Sequence, residues 1–219
     1  RPVVVEPAGD GARLLPGADG YLYVNLKWMR RADMAKHLPA VPHDPEYERF
    51  IQATGFEFER DLDQAAFAVH YATPLTHGET RYSEIFVGHI DGDRLRNYLK
   101  GLARSVENYR SIDIFSIPVE NRTFRVAMLG VDAIAASNYD DVAVIHGIID
   151  RSRKLASPFG GPALLRQFYK YVPQLPLPSL GWAIFKVNAP LSTSSGATPL
   201  PFNGPATLVA SVRYVGAIH

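Results

Sequence analysis

No cysteine occurs among the 219 residues. That excludes disulfides, thiolate metal centres and a cysteine nucleophile together. No apolar run approaches the ~18 residues of a membrane-spanning helix. Charge of one sign is missing as well: 23 Lys and Arg stand against 22 Asp and Glu, a formal net charge of +1. Such a balance creates no long-range field that would draw in a nucleic acid, so no nucleic-acid partner is expected. The serine-nucleophile elbow GxSxG, the zinc-binding HExxH pair and the lysine-bearing phosphate loop are all absent. No cofactor or metal is therefore expected.

What is present is ordinary globular material. Hydrophobic residues are 47% and charged residues 21% of the chain, enough for one large core. The chain opens on Arg1 rather than methionine, as expected of an exported protein that has lost its signal peptide or of a domain trimmed from a longer chain. Lack of cysteine suits a protein that passes through an oxidising compartment.

Along the chain, residues 1–19 read as an extended lead-in rich in Pro and Gly. "YLYVNLKWM" alternates with period two and predicts a half-buried strand. "RADMAKHL" (31–38) and "DPEYERFIQATG" predict helices, the second with Asp44 as N-cap, Pro45 at its first position and Gly55 as its stop. "AAFAVHYA" predicts a strand with Phe67, Val69 and Tyr71 on one face and Ala66, Ala68 and His70 on the other, the less apolar one. "RYSEIFVGHI" pairs with it as a hairpin. "DGDRLRNYLKGLA" predicts a helix with Leu95, Tyr98, Leu99 and Leu102 on one stripe. "IDIFSIPV" and "TFRVAML" form a second hairpin, and "VDAIAASN" adds a third strand. "YDDVAVIHGIIDRSR" and "GPALLRQFYKYVP" (161–173) predict two more helices. A proline-rich connector then leads to the strands "WAIFKVN" and "ATLVASVRYVGAIH".

An internal echo stands out. "GYLYVNLKWM" and "GWAIFKVNAP" both begin with glycine and a large aromatic and alternate into an asparagine. "AAFAVHYATP" and "ATLVASVRYVG" both place small residues before an aromatic. The expected organisation is a lead-in (1–19), an α+β domain (20–175), and a connector with strands of a partial second copy (176–219). The fold class is α+β, a mixed or antiparallel sheet with helices packed on one face.

Thr54, Gly55, Phe56, Glu59, Arg60, Asp61, Leu62 and Asp63, followed by Gly88, Ile90, Asp91, Leu95 and Leu99, resemble a loosely defined group of uncharacterised bacterial exported or envelope-anchored proteins built from repeated α+β units. The resemblance spans Leu15 to Val144 and carries no catalytic signature. It implies an α+β domain outside the cytoplasm, periplasmic or on the outer surface of a bacterium, and no activity.

Several groups of residues have two readings. Asp61 and Asp63 have the spacing of a carboxylate pair, or form a solvated strand entry in which Arg60 and Asp61 pair. "HIDGDRL" opens like a calcium loop but lacks the later acidic ligands, so Asp91 or Asp93 reads as a helix cap. His70 and His89 are the one histidine pair that the first hairpin can bring together, with Glu79, Glu84 or His77 nearby, and read as a cross-strand pair on the sheet; a hydrolase would use them with the acids around Asp61 and Asp91. Tyr98, Tyr109, Phe168, Tyr171 and Trp182 are the candidate lining of a groove for an apolar ligand, against a simple aromatic stripe packed on the sheet. The function expected is a non-catalytic exported scaffold or interaction domain of the bacterial envelope. The alternative is a binding protein for a hydrophobic or amphipathic small ligand. Partners would be another envelope protein, a small apolar ligand, or a second copy paired through an exposed strand edge at "LVASVRYV".

Overall fold

A computed structural model describes residues 10–31, 40–154, 179–187 and 205–213. The helices expected at 32–38 and 161–173, and with them Phe168 and Tyr171, lie outside the described residues. Among the described residues, nine strands form one fully antiparallel sheet and five helices accompany it; the strands are β1 (Gly20–Asn25), β2 (Leu62–His70), β3 (Arg81–Gly88), β4 (Ser105–Tyr109), β5 (Ile112–Val119), β6 (Arg122–Met128), β7 (Ala133–Ser137), β8 (Ser179–Val187) and β9 (Ala206–Arg213). Their order across the sheet is β4-β5-β6-β7-β3-β2-β1-β8-β9. The helices are α1 (Leu26–Arg31), α2 (Pro45–Thr54), the single turn α3 (Phe58–Asp61), α4 (Gly92–Leu102) and α5 (Ala143–Ser152). The chain is an α+β protein with an antiparallel sheet. β4 had no counterpart among the expected strands, since "SVENY" is polar and exposed along most of its length.

Local chemistry fixes the helix ends. The Asp44 carboxylate accepts from the Tyr47 N–H at 2.8 Å, and Gly55 closes α2 in the left-handed region at φ 72°. Asp91 caps α4 by accepting from the N–H groups of Asp93 and Arg94, which is the helix-cap reading of "HIDGDRL".

The helices divide between the two faces of the sheet rather than keeping to one. On the first face, Ile145, Ile148 and Ile149 of α5 meet Ala66, Ala68, Ile85, Ile112, Ile114, Ala127 and Ala135. Alanines at the middle of β2, β6 and β7 leave room for a helix, while the large rings of Tyr21, Tyr23 and Trp182 fill the same core beside β1 and β8. Ala12 and Leu15, from the expected lead-in, are buried in this core, and Asp10–Leu14 is a 3-10 turn. On the second face, Leu95 and Leu99 of α4 pack on Phe115, Val126, Met128 and Ile134, and Phe50 of α2 joins Phe56 and Phe58 over Phe86. One-sided packing failed because both residue sets of β5 are apolar. Ile112 and Ile114 serve one face, Phe115 and Ile117 the other.

The echo segments are neighbours. β8 runs antiparallel beside β1 with Gly20 opposite Phe185, Leu22 opposite Ala183 and Val24 opposite Gly181. The relation of Gly20 to Phe185 thus repeats, from the other strand, as the relation of Gly181 to Val24. β2 and β9 flank the pair on either side.

Candidate functional site

Histidines 70 and 89 sit at opposite ends of the β2–β3 hairpin. His70 pairs with Arg81, whereas Leu62, at the other end of β2, pairs with Gly88. Eight residues of strand separate the two ends, ~26 Å at ~3.3 Å per residue. His70 is only 8% exposed, on the face with Ala66 and Ala68. The less apolar face of β2 is the more buried one, because small side chains admit α5 and the 3-10 turn. Burial pushes the His70 imidazole below its ordinary pKa, against a smaller upward pull from Asp19. Its Nε2 is 3.5 Å from Ser83 Oγ, which lies 2.9 Å from Ser137 Oγ. All three are buried, and this hydroxyl–imidazole chain satisfies core polar groups. His89 is exposed and 3.5 Å from Asp63, whose carboxylate also meets Arg30 at 2.7 Å. Arg60 binds Asp61 at 2.6 Å. The acids of "FERDLD" are thus held in ion pairs, and among the described residues no cluster of three or more metal-ligating side chains exists.

The aromatic candidates do not share one wall. Tyr98 meets Phe50 edge-on on the α2/α4 face. Tyr109 stacks on His146 at 3.9 Å on the α5 face and donates to Asp150 at 3.1 Å. Trp182 is buried and stacks on Tyr23 at 5.6 Å.

A different arrangement emerges from the strand register. On the α2/α4 face three rows of side chains cross five strands, and Phe86, Ala65 and Phe67 at their β3/β2 end pack with Phe50, Phe56 and Phe58. The first row is Tyr82, Val69, Gly20, Phe185 and Leu208. The second is Glu84, Phe67, Leu22, Ala183 and Ala210. The third is Phe86, Ala65, Val24, Gly181 and Val212. Of these fifteen positions one is an acidic or basic residue, Glu84. Large apolar members are open to solvent: Leu22 is 37%, Leu208 49% and Val212 57% exposed. Soluble surfaces scatter exposed apolar residues singly, whereas a contiguous field of them marks a binding surface.

The Glu84 carboxyl makes no hydrogen bond or ion pair. Burial alone raises its pKa to about 7, so near neutrality the carboxyl is half protonated and the field close to uncharged. Sequence reading placed Glu84 beside the histidines; period two along "RYSEIFVG" already puts it with Tyr82 and Phe86. The register that lines those three up with β1, β8 and β9 was not readable.

These features define an α+β protein whose antiparallel sheet carries α5 on one face and α2 and α4 on the other, with exposed apolar side chains beside the latter. No family model matches the chain, and no curated protein matches it. Solved structures of TP0453 in crystal forms III, IV and I resemble it with TM-scores of 0.42, 0.39 and 0.39. They share 10%, 9% and 12% identity, over 84%, 83% and 85% of this chain and 75%, 78% and 75% of theirs.

Proposed function

We propose that this is a non-catalytic, exported module of the bacterial envelope whose open sheet face holds the apolar chain of an amphipathic small ligand. The observation that carries the ligand reading is the three-row field centred on Leu22 and Phe67, apolar but for one carboxyl. Cations are missing from that field, so it suits an uncharged chain better than an anionic headgroup. The envelope placement is motivated by the residues around Thr54–Asp63 that resemble exported bacterial proteins. Paired acids and buried histidine and serines support the absence of catalysis.

Displacement of a fluorescent apolar probe by dodecanol and by dodecanoate at pH 8 tests the reading. Saturable binding is expected, with dodecanol ahead, and Leu22→Asp should weaken it ~10-fold or more, since a buried charge replaces an apolar contact. Probe binding that does not saturate, or is the same in Leu22→Asp, would sink it.

The strand edge supports a second reading, pairing with another chain. β3 flanks β2 on one side of the β1–β8 pair, whereas β9 on the other side is the outermost described strand. β9 has eight residues and no charge before Arg213, while β4 at the opposite edge is five residues long and carries Glu107. Long uncharged edges invite a further strand. Sedimentation equilibrium of the chain and of Ala210→Lys would show a dimer that the lysine disperses; a monomer at every concentration removes this reading.

A further inference from the structure

On the α5 face, far from the apolar field, a small cavity opens over β4, β5 and β6. Arg104, Ser105, Ser116, Pro118, Thr123 and Arg125 line its volume of about 210 Å³. The register explains why these residues meet. Ser105 stands opposite Ser116, Ser116 opposite Arg125, Arg125 opposite Ser137, and Ser137 opposite Ser83. One polar row therefore crosses five strands. Its inner members Ser83 and Ser137 are buried and bond to each other. Its outer members line the cavity, with Arg104 and Thr123 beside them.

Two arginines, the exposed Arg104 and the half-buried Arg125, line this cavity, and neither has a carboxylate partner. Arg125 donates from Nη1 to the carbonyls of Tyr139 at 2.9 Å and Asp140 at 3.3 Å, which holds the group in place and leaves other N–H donors of its fork unused. Arg104 is fixed through its backbone, whose N–H donates to the Ser116 carbonyl at 2.8 Å, and its side chain forms no hydrogen bond or ion pair. Neighbouring acids are committed elsewhere: Glu79 to Arg81 and Arg122, Asp140 to Arg81, and Glu107 to His146. Glu120, in the β5–β6 turn, is exposed and two residues past Pro118.

We infer that this cavity is a binding site for a tetrahedral oxyanion, a phosphoryl or sulfuryl group held by Arg104 and Arg125 with the hydroxyls of Ser105, Ser116 and Thr123. Two cations facing a small polar space repel each other until an anion sits between them, and guanidinium–oxyanion contacts are about twice as strong as neutral hydrogen bonds. Size decides the class of ligand. Sites for whole organic ligands measure roughly 300–1,000 Å³, so a space of about 210 Å³ takes the oxyanion group and leaves any remainder outside. The site lies on the opposite face from the apolar field and stands or falls independently of it.

The test is an amide chemical-shift titration of the full chain with inorganic phosphate, and with chloride at matched ionic strength. Saturable shifts centred on Arg104, Ser105, Ser116, Thr123 and Arg125, produced by phosphate and not by chloride, are expected. Arg104→Gln should weaken binding ~10-fold by loss of a charge-assisted contact. Ser116→Ala provides a second variant that keeps the charge and should weaken it less. Cosedimentation with phosphatidylcholine vesicles, with and without phosphatidic acid, separates the sources of the group. Vesicle binding lost in Arg104→Gln identifies a lipid headgroup, and phosphate binding without vesicle binding identifies a free or soluble phosphate. Shifts that are equal for phosphate and chloride, or unchanged in Arg104→Gln, overturn the inference.

Discussion

Glu84 stands directly opposite Phe67 across the β2–β3 ladder, a carboxyl facing a ring with no cation or donor to balance it. Its pKa is pushed up to about 7, above the 4.5 of the unfolded chain. A raised folded value means that the protonated form is favoured by folding. The stability tied to Glu84 is therefore fully present below about pH 4.5 and is lost as pH rises through about 7. The loss at high pH is on the order of 3 kcal/mol at most. Urea midpoints at pH 5.5, 7 and 8.5 should carry this downward component in the wild type and lose it in Glu84→Gln.

His70 contributes the opposite limb. Burial holds its folded pKa below 6.5, so the neutral ring is the folded form. Stability from this source is present above pH 6.5 and is lost as pH falls through the lower folded value. Replacing the ring with glutamine, which keeps a polar atom near Ser83, should flatten the acid side of the same urea series. An acid limb unchanged in His70→Gln would assign it to other groups.

Gly20 is required by a close approach. A Cβ placed there would run into the Phe185 ring. Gly20→Ala should cost ~1–3 kcal/mol through overpacking. In a double-mutant cycle with Phe185→Ala the two changes should be less than additive, since removing the ring frees the space. Additive losses in thermal denaturation would mean that the cost of Gly20→Ala does not come from the Phe185 ring, and no loss in Gly20→Ala would mean that the ring moves aside freely.

The cap of α4 is the simplest case. Asp91 accepts from two N–H groups, at 3.2 and 3.1 Å. Asp91→Ala should cost ~1 kcal/mol, and Asp91→Ser should recover most of it. Calcium should leave the melting temperature unchanged, in contrast to what a calcium loop at "HIDGDRL" would give.

Much was legible in the sequence by itself. Caps and stops such as Asp44, Gly55 and Asp91, the alternation of β2, β3, β5 and β6, and the apolar stripe of α5 all follow from rules that act within a few residues. The echo between residues 20–29 and 181–190 was also visible there. Absence of thiols, of one-signed charge and of nucleophile motifs limited the functions without reference to any fold.

Tertiary structure decided the rest, because the rest depends on which strands become neighbours. Period two sorts Phe67 and Glu84 to one side of their strands and His70 to the other, yet it cannot tell which side a helix will cover. α5 chose the alanine side because small residues let it approach. That left Leu22 of β1 and Leu208 and Val212 of β9 exposed. Likewise Arg104 and Arg125, twenty-one positions apart in sequence, share a cavity only because β4, β5 and β6 line up in register. Tyr98, Tyr109 and Trp182 part company for the same reason. Side-chain chemistry was written in the chain, and its grouping was set by strand order and long-range packing.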